Sequence, residues 1–230
     1  AARALLSAVY EGAQVPFDTA LKIEARWFTH VLMNPSSGNM IRSLFINKEA
    51  LEKGANRPEA PDQTVRKVGI LGAGMMGAAI AYVTAQAGVD VVLRDVTIEG
   101  AQRGKDYSRR ILDAKVAKGR LDTAGRDRAL DRILATDNIS DVKGADLVVE
   151  AVFEDVELKK KVLAEVEGYV SDDALLASNT SALPIAEMAG AVTRPSDVIG
   201  LHFFSPVDKM PLVEIISTLV TADETAAAPG

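Results

Sequence analysis

Two ionisable residues lie inside apolar runs near the carboxyl end of the chain. His202 follows Ile199-Gly200-Leu201, and Glu214 follows Pro211-Leu212-Val213. An ionisable side chain among apolar residues is costly to bury without a partner, so we expect the imidazole and the carboxylate to bind each other. An imidazole held by a carboxylate is suited to accept a proton from an alcohol. The alternative is a structural pair, or a core histidine that is satisfied by the backbone.

A third polar group, Ser181, closes the run Ser178-Asn179-Thr180-Ser181, which follows a predicted strand. Ligands of open parallel sheets bind at the carboxyl ends of strands, so its hydroxyl is a candidate to hold a substrate oxygen. The alternative role is a cap for the helix expected near Pro184. With a nicotinamide cofactor, these groups suit hydride transfer: His202 takes the hydroxyl proton while hydride leaves the same carbon.

A glycine motif predicts where such a cofactor binds. Gly72-Ala73-Gly74-Met75-Met76-Gly77 matches G-x-G-x-x-G, directly after the predicted strand Val68–Leu71 and before an apolar helix. In this context Gly72 permits a tight turn, Gly74 lets the backbone approach a pyrophosphate, and Gly77 lets the helix pack closely on the strand. The phosphates would then lie at the amino end of the helix, where the dipole favours negative charge.

Asp95 follows the next predicted strand, Val89 to Leu93, and lies eighteen residues after Gly77. A carboxylate near this offset accepts hydrogen bonds from the adenosine ribose and repels a 2′-phosphate, which favours NAD over NADP. NADP remains the alternative because Arg94 is adjacent, and an arginine near the ribose can compensate a phosphate.

From Val65 onward, short apolar runs alternate with amphipathic segments, which predicts strands buried on both faces. The expected fold class is therefore α/β, with a Rossmann-type doubly wound, mostly parallel sheet. The predicted strands cover residues 68–71, 89–93, 146–150, 174–178 and 198–203. The segment from Ile98 to Arg132 is basic and helical in character, and its simplest interpretation is two solvated surface helices. The alternative is that Lys115 or Lys118 contacts an anionic group of the substrate.

A helical segment, residues 1–54, is predicted before the α/β pattern. One helix is expected before a break at Asn34 to Asn39, and a second helix from Met40 to Gly54. Residues 55–64 contain two prolines without apolar periodicity and indicate a linker. The predicted second domain is residues 65–230.

Composition narrows the class of protein. The 230 residues are 48% hydrophobic and 25% charged with a net charge of −6, which is typical of a folded globular protein and disfavours nucleic acid as a partner. Because the chain has no Cys and its histidines are His30 and His202, we expect no metal site. No apolar run reaches the roughly 18 residues of a membrane span, and the amino end does not resemble a targeting peptide. The expected location is the cytoplasm or a matrix-like compartment.

Five motifs, in order and spacing, resemble the L-3-hydroxyacyl-CoA dehydrogenases over about Val65 to Val220. They are Gly72–Gly77, Asp95, Val148–Glu154 with Lys159, Ser178–Ser181 and Leu201–Pro206. The resemblance implies NAD-dependent oxidation of L-3-hydroxyacyl-CoA to 3-oxoacyl-CoA in fatty-acid β-oxidation, with Ser181, His202 and Glu214 at the reacting hydroxyl. It also implies that NAD is lined by Met76, Asp95, Val152, Phe153, Glu154 and Lys159. The family usually has Asn at the position of Ser205, near the nicotinamide.

Residues 1–54 are similar to the last helices of an enoyl-CoA hydratase domain, as in the multifunctional α-subunit of fatty-acid β-oxidation. This likeness implies an acyl-CoA substrate and a thiolase partner subunit. The family continues beyond the position of Gly230 into a helical domain that completes the substrate site. We therefore expect this chain alone to bind NAD(H) and to turn over poorly. Two other functions stay open: an NAD(H)-binding regulatory module, and a dehydrogenase of a small 3-hydroxy acid.

Overall fold

The structure is a computed structural model that describes residues 1–55, 58–59 and 64–227. The chain divides into two compact units, residues 1–57 and 58–230. Of the predicted linker, residues 56, 57 and 60–63 lie outside the described residues.

The first unit is helical, as its apolar periodicity predicts. Its elements are α1 (Ala2–Gly12), α2 (Phe17–Leu32), α3 (Pro35–Ile41), a π-helical segment (Arg42–Asn47) and α4 (Lys48–Glu52). The predicted break at residues 34–39 is wrong, because α3 begins at Pro35. The Asn34 side chain accepts a hydrogen bond from the Ser36 N–H at 2.9 Å, and proline fits the first position of a helix. The predicted second helix is thus continuous with α3 up to Glu52.

The second unit contains one seven-stranded sheet with the order β3-β2-β1-β4-β5-β6-β7. The strands are β1 (Lys67–Leu71), β2 (Asp90–Arg94), β3 (Ile133–Thr136), β4 (Leu147–Glu150), β5 (Leu175–Ser178), β6 (Val198–Phe203) and β7 (Val213–Ile216). The first six pair in parallel and β7 pairs antiparallel with β6. This is the Rossmann-type order, so the predicted fold class is confirmed.

Helices cover both faces of the sheet. They are α5 (Met75–Gln86), α6 (Ile98–Ala117), α7 (Thr123–Asp131), α8 (Val156–Glu167), α9 (Ile185–Ala189) and the short α10 (Asp223–Ala227). Three of them start at polar caps: Thr97, Asp122 and Asp155 each accept a hydrogen bond from a backbone N–H three residues later. The basic segment from Ile98 to Arg132 therefore forms two helices, as predicted.

The core explains why the strands are continuously apolar. Neighbouring residues of β1 are both fully buried: Ile70 belongs to one apolar cluster and Leu71 to the other. Because successive side chains of a strand point to opposite faces, the two clusters lie on opposite sides of the sheet. Among the described helices, none is long and apolar enough to cross a membrane.

Candidate active site

A cleft of about 910 Å³ opens at the carboxyl ends of the parallel strands. It lies where the strand order reverses between β1 and β4, the position at which open α/β sheets bind ligands. The predicted site residues that line it are Gly72, Gly74, Met76, Asp95, Val152, Phe153, Glu154, Lys159, Ser181, His202 and Ser205. Two other predicted residues contact lining residues: Glu214 contacts His202, and Gly77 packs against Gly72.

The glycine turn has the shape that a pyrophosphate needs. Gly72 has a φ of 98°, and a Cβ there would lie 2.7 Å from the Ala151 carbonyl oxygen. A Cβ on Gly77 would overlap the Gly72 carbonyl, so α5 approaches β1 as closely as a glycine allows. At Gly74, by contrast, no heavy atom of the described residues beyond its chain neighbours lies within 4 Å of the Cβ position. No described side chain caps α5, which starts at Met75, so its first N–H groups are open to an anion.

Asp95 is fixed at the edge of this turn by two backbone donors. Its Oδ2 accepts the Ala73 N–H and its Oδ1 accepts the Val96 N–H, each at 2.7 Å. A carboxylate oxygen has a second lone pair, so Asp95 retains acceptor capacity toward the cleft that it lines. Arg94 lines the same cleft, and its buried Nε has no hydrogen-bond partner among the described residues.

His202 and Glu214 meet through strand register. β6 and β7 are antiparallel and pair these residues directly opposite each other. His202 Nδ1 lies 2.8 Å from Glu214 Oε2, and the imidazole side chain is 17% exposed while the carboxylate is 53% exposed. An imidazole whose Nδ1–H donates to a carboxylate carries its lone pair on Nε2. The contact expected from the sequence is therefore present, on a residue that lines the cleft.

Ser181 is exposed and lines the cleft, after the end of β5. The turn before α9 is bonded by the neighbouring Thr180, whose Oγ1 accepts the N–H groups of Ala182 at 3.4 Å and Leu183 at 3.0 Å. Helix α9 starts after Pro184, without a side-chain cap from any described residue. The Ser181 hydroxyl is thus available to a ligand.

Lys159 reaches the cleft from behind. It is 1% exposed, and its ammonium lies 2.9 Å from Glu150 Oε1 and 3.2 Å from Glu154 Oε2. Its ammonium is therefore paired with two carboxylates at the wall of the cleft. Burial acts to raise the pKa of Glu154, but hydrogen bonds from Thr180 and Lys159 hold that pKa below its usual value.

Sequence reasoning missed Asn179 as a site residue. It lines the cleft, and its Oδ1 accepts the Phe203 N–H at 2.9 Å, which links the loop after β5 to β6. Its one signal in the sequence was its place in the polar run after a predicted strand. The basic residues Lys115 and Lys118 are not among the described residues that line the cleft. Instead, Lys115 Nζ donates to Gln86 Oε1 at 3.0 Å on the outer surface.

Comparisons with known proteins agree with this geometry. Residues 67–229 match the family described as 3-hydroxyacyl-CoA dehydrogenase, NAD binding domain. The chain belongs to this family. NAD is therefore the cofactor of the domain, and the open side of Gly74, the uncapped helix and the carboxylate of Asp95 all fit a dinucleotide.

Members of the family and its relatives include single enzymes and larger subunits. The fatty acid oxidation complex subunit alpha of Shewanella frigidimarina is 38% identical over 224 residues, which is 97% of this chain and 31% of that protein. The chain thus spans less than a third of that curated relative. The structure of (S)-3-hydroxybutyryl-CoA dehydrogenase from Ralstonia eutropha is 40% identical with a TM-score of 0.69, covering 71% of this chain and 58% of that one. The structure of 3-hydroxybutyryl-CoA dehydrogenase from Escherichia coli is 37% identical with a TM-score of 0.69. The match covers 71% of this chain and 35% of that one.

Proposed function

We propose that this domain oxidises L-3-hydroxyacyl-CoA to 3-oxoacyl-CoA with NAD, as a step of fatty-acid β-oxidation. The observation that carries the proposal is the 2.8 Å contact between His202 Nδ1 and Glu214 Oε2. His202 lines the same cleft as the glycine turn. The names of the relatives support the choice of substrate.

In this proposal His202 is the general base. Because Nδ1–H donates to Glu214, Nε2 is the atom that accepts the proton of the substrate hydroxyl. Glu214 then stabilises the imidazolium, and the Ser181 hydroxyl holds the substrate oxygen in line with Nε2. In the reverse direction the imidazolium returns its proton to the substrate oxygen. When bound, NAD supplies the nicotinamide ring that exchanges hydride with the substrate carbon.

The remaining lining residues are assigned to the cofactor. Gly74 and Met76 at the start of α5 would hold the pyrophosphate, and Asp95 would accept the ribose hydroxyls. The segment after β4 would form one wall, from Val152, Phe153, Glu154 and Lys159, with Ser205 near the nicotinamide. Phe153 is 81% exposed, so its ring offers an apolar surface that excludes water once a ligand covers it.

The wider setting is part of the same proposal. Residues 1–54 would be the last helices of an enoyl-CoA hydratase domain, residues 55–64 a linker, and residues 65–230 the NAD-binding domain. The curated relative supports this, because its similarity extends over 97% of the chain, including the helical unit, and it is the alpha subunit of a complex. A thiolase subunit as partner, a helical domain that completes the substrate site, and a cytoplasmic location follow from the same setting.

The test is His202→Ala in the complete natural polypeptide that contains these residues. We expect the rate of 3-hydroxyacyl-CoA oxidation to fall by about 10²- to 10⁴-fold, the usual contribution of a general base, while the NADH affinity is retained. His30→Ala is the matched control, because it changes the other histidine, in the first unit. An unchanged rate removes His202 as the base. A wild type that binds NADH without oxidation supports the regulatory module, and a preference for a free 3-hydroxy acid supports the small-substrate dehydrogenase.

A further inference from the structure

Five polar residues, of which Glu154 and Lys159 line the cleft, form a closed ring of hydrogen bonds and ion pairs, here termed the polar ring. Ser178 Oγ donates to Glu150 Oε2 at 2.7 Å, and Lys159 Nζ donates to the two Glu150 oxygens at 2.9 and 3.1 Å. Lys159 Nζ also lies 3.2 Å from Glu154 Oε2, and Glu154 Oε1 accepts the Thr180 hydroxyl proton. The Thr180 N–H closes the ring by donating to Ser178 Oγ at 3.3 Å.

Most of the ring is removed from water. Glu150 and Ser178 are 0% exposed, Lys159 is 1% exposed and Thr180 is 3% exposed. Glu150 accepts one further bond, from the Val152 N–H at 2.6 Å. A buried ion pair contributes little stability compared with an apolar replacement, but a fully satisfied buried network is rigid. The physical effect of the ring is therefore to fix geometry.

The ring joins the two loops that carry the proposed site. Glu150 ends β4, and Lys159 folds back from α8 onto it, which closes the loop that contains Val152 and Phe153. The link from Glu154 to Thr180 then connects this loop to the one after β5.

Ser181 lies directly beyond that link. It follows Thr180, and on the other side Asn179 Oδ1 accepts the Phe203 N–H at 2.9 Å, next to His202. The short segment 179–181 is therefore held between the polar ring and β6.

We infer that the polar ring positions the Ser181 hydroxyl relative to His202 through its Glu154–Thr180 link, while its Glu150–Lys159 part holds the cofactor wall at Val152 and Phe153. Thr180 and Lys159 are positioning residues in this arrangement, acting through the backbone of their loops. This inference rests on the proposed function, since it concerns the orientation of the substrate oxygen. A displacement of reacting groups by about 1 Å costs on the order of 100-fold in rate.

The first test compares Thr180→Val with Thr180→Ser in the complete natural polypeptide. Valine has nearly the shape of threonine without the hydroxyl. It cuts the link to Glu154 and the bonds from the Ala182 and Leu183 N–H groups, and it leaves the Glu150–Lys159 contact in place. We expect kcat to fall by roughly 10- to 100-fold, with the dissociation constant of NADH changed by less than about twofold. Serine keeps the hydroxyl and restores kcat to within about threefold of the wild type. If Thr180 only stabilised the fold, Thr180→Val would lower the melting temperature but would not lower kcat while leaving the dissociation constant of NADH unchanged.

The second test needs no activity and measures amide hydrogen exchange in residues 179–183. Lys159→Met is compared with Lys160→Met, a neighbouring lysine of α8 that pairs with the exposed Glu157 at 2.9 Å. Since Lys159→Met leaves Glu150 buried and unpaired, the double variant Glu150→Gln/Lys159→Met, which removes both charges, is measured in parallel. We expect both ring variants to speed exchange in this segment by at least about tenfold and Lys160→Met to leave it unchanged.

Each outcome decides the inference. A folded Thr180→Val protein with wild-type kcat overturns it, and so does equal exchange in the Lys159 and Lys160 variants. A wild type that binds NADH but does not oxidise 3-hydroxyacyl-CoA refutes the proposed function instead, and the exchange comparison then decides the ring independently.

Discussion

Two glycines of one motif make opposite predictions when each is changed to alanine. Gly74 has extended backbone angles, φ −66° and ψ −166°, and open space where a Cβ would project. Gly74→Ala should therefore fold normally and weaken cofactor binding. At Gly77 a Cβ would overlap the carbonyl oxygen of Gly72, so Gly77→Ala should damage the fold itself.

The magnitudes follow from these surroundings. Gly74 is the N-cap residue of α5, and alanine is a poorer N-cap than glycine. Gly74→Ala should therefore lower the free energy of unfolding by about 1 kcal/mol or less. In Gly77→Ala the added Cβ would overlap backbone atoms that cannot move aside easily. We therefore expect the free energy of unfolding to fall by about 3 kcal/mol, the upper end of the range for overpacking. With roughly 2–4 °C per kcal/mol for a chain of this size, the melting temperature falls by about 6–12 °C for Gly77→Ala and by at most about 4 °C for Gly74→Ala.

The assay pairs thermal unfolding with fluorescence titration of NADH on the same samples. For Gly74→Ala we expect the dissociation constant of NADH to rise at least about tenfold, or 1.4 kcal/mol, because the added methyl group occupies the side that the pyrophosphate approaches. The reasoning is refuted if Gly74→Ala binds NADH as tightly as the wild type, or if it melts as early as Gly77→Ala.

Two further predictions concern carboxylates. Asp95→Asn removes the charge that repels a 2′-phosphate, so the preference for NADH over NADPH should shrink by at least about tenfold in titrations of both; an unchanged ratio contradicts the role of Asp95. Burial acts to raise the pKa of Glu167, but hydrogen bonds from Thr193 and Arg194 outweigh it and hold that pKa below its usual value. Because the folded pKa is the lower one, this stabilisation is complete above the unfolded pKa of about 4.3 and is lost as the pH falls through the folded pKa. The measurement is urea unfolding near pH 6 and below pH 4. The free energy of unfolding should fall more between these two pH values in the wild type than in Glu167→Gln. An equal fall in both proteins would contradict the stabilising role of the Glu167 carboxylate.

Local sequence predicted the elements that carry the cofactor. The G-x-G-x-x-G motif at residues 72–77 lies between β1 and α5 as expected, since the tight turn and close packing each require a glycine at a fixed offset. The continuous apolar runs predicted a parallel sheet because strands buried on both faces have no polar side. Two strands were not predicted: β3 (Ile133–Thr136), whose four residues after a basic helix carry too little periodicity, and β7 (Val213–Ile216), whose apolar run is equally short.

Other features were not predicted, because their cause is a contact between distant residues. Lys159 lines the cleft, but its pairing with Glu150 and Glu154 has no signal in the sequence. Asn179 stands in a polar run after a predicted strand, but its bond to the Phe203 N–H depends on how two distant strands are placed. At Asn34 the wrong prediction has a local cause, because an asparagine before proline is typical both of a break and of a helix start.

The sequence by itself determined the fold class, the glycine turn and the residue types available for proton and hydride chemistry, because each depends on side-chain periodicity or on spacing within one loop. The tertiary structure decided which of those residues meet. His202 and Glu214 contact each other because β7 turns back antiparallel on β6 in a register that sets them opposite. The polar ring likewise exists only where the ends of β4 and β5 lie side by side, since hydrogen bonds between such distant residues depend on how the strands are ordered in the sheet.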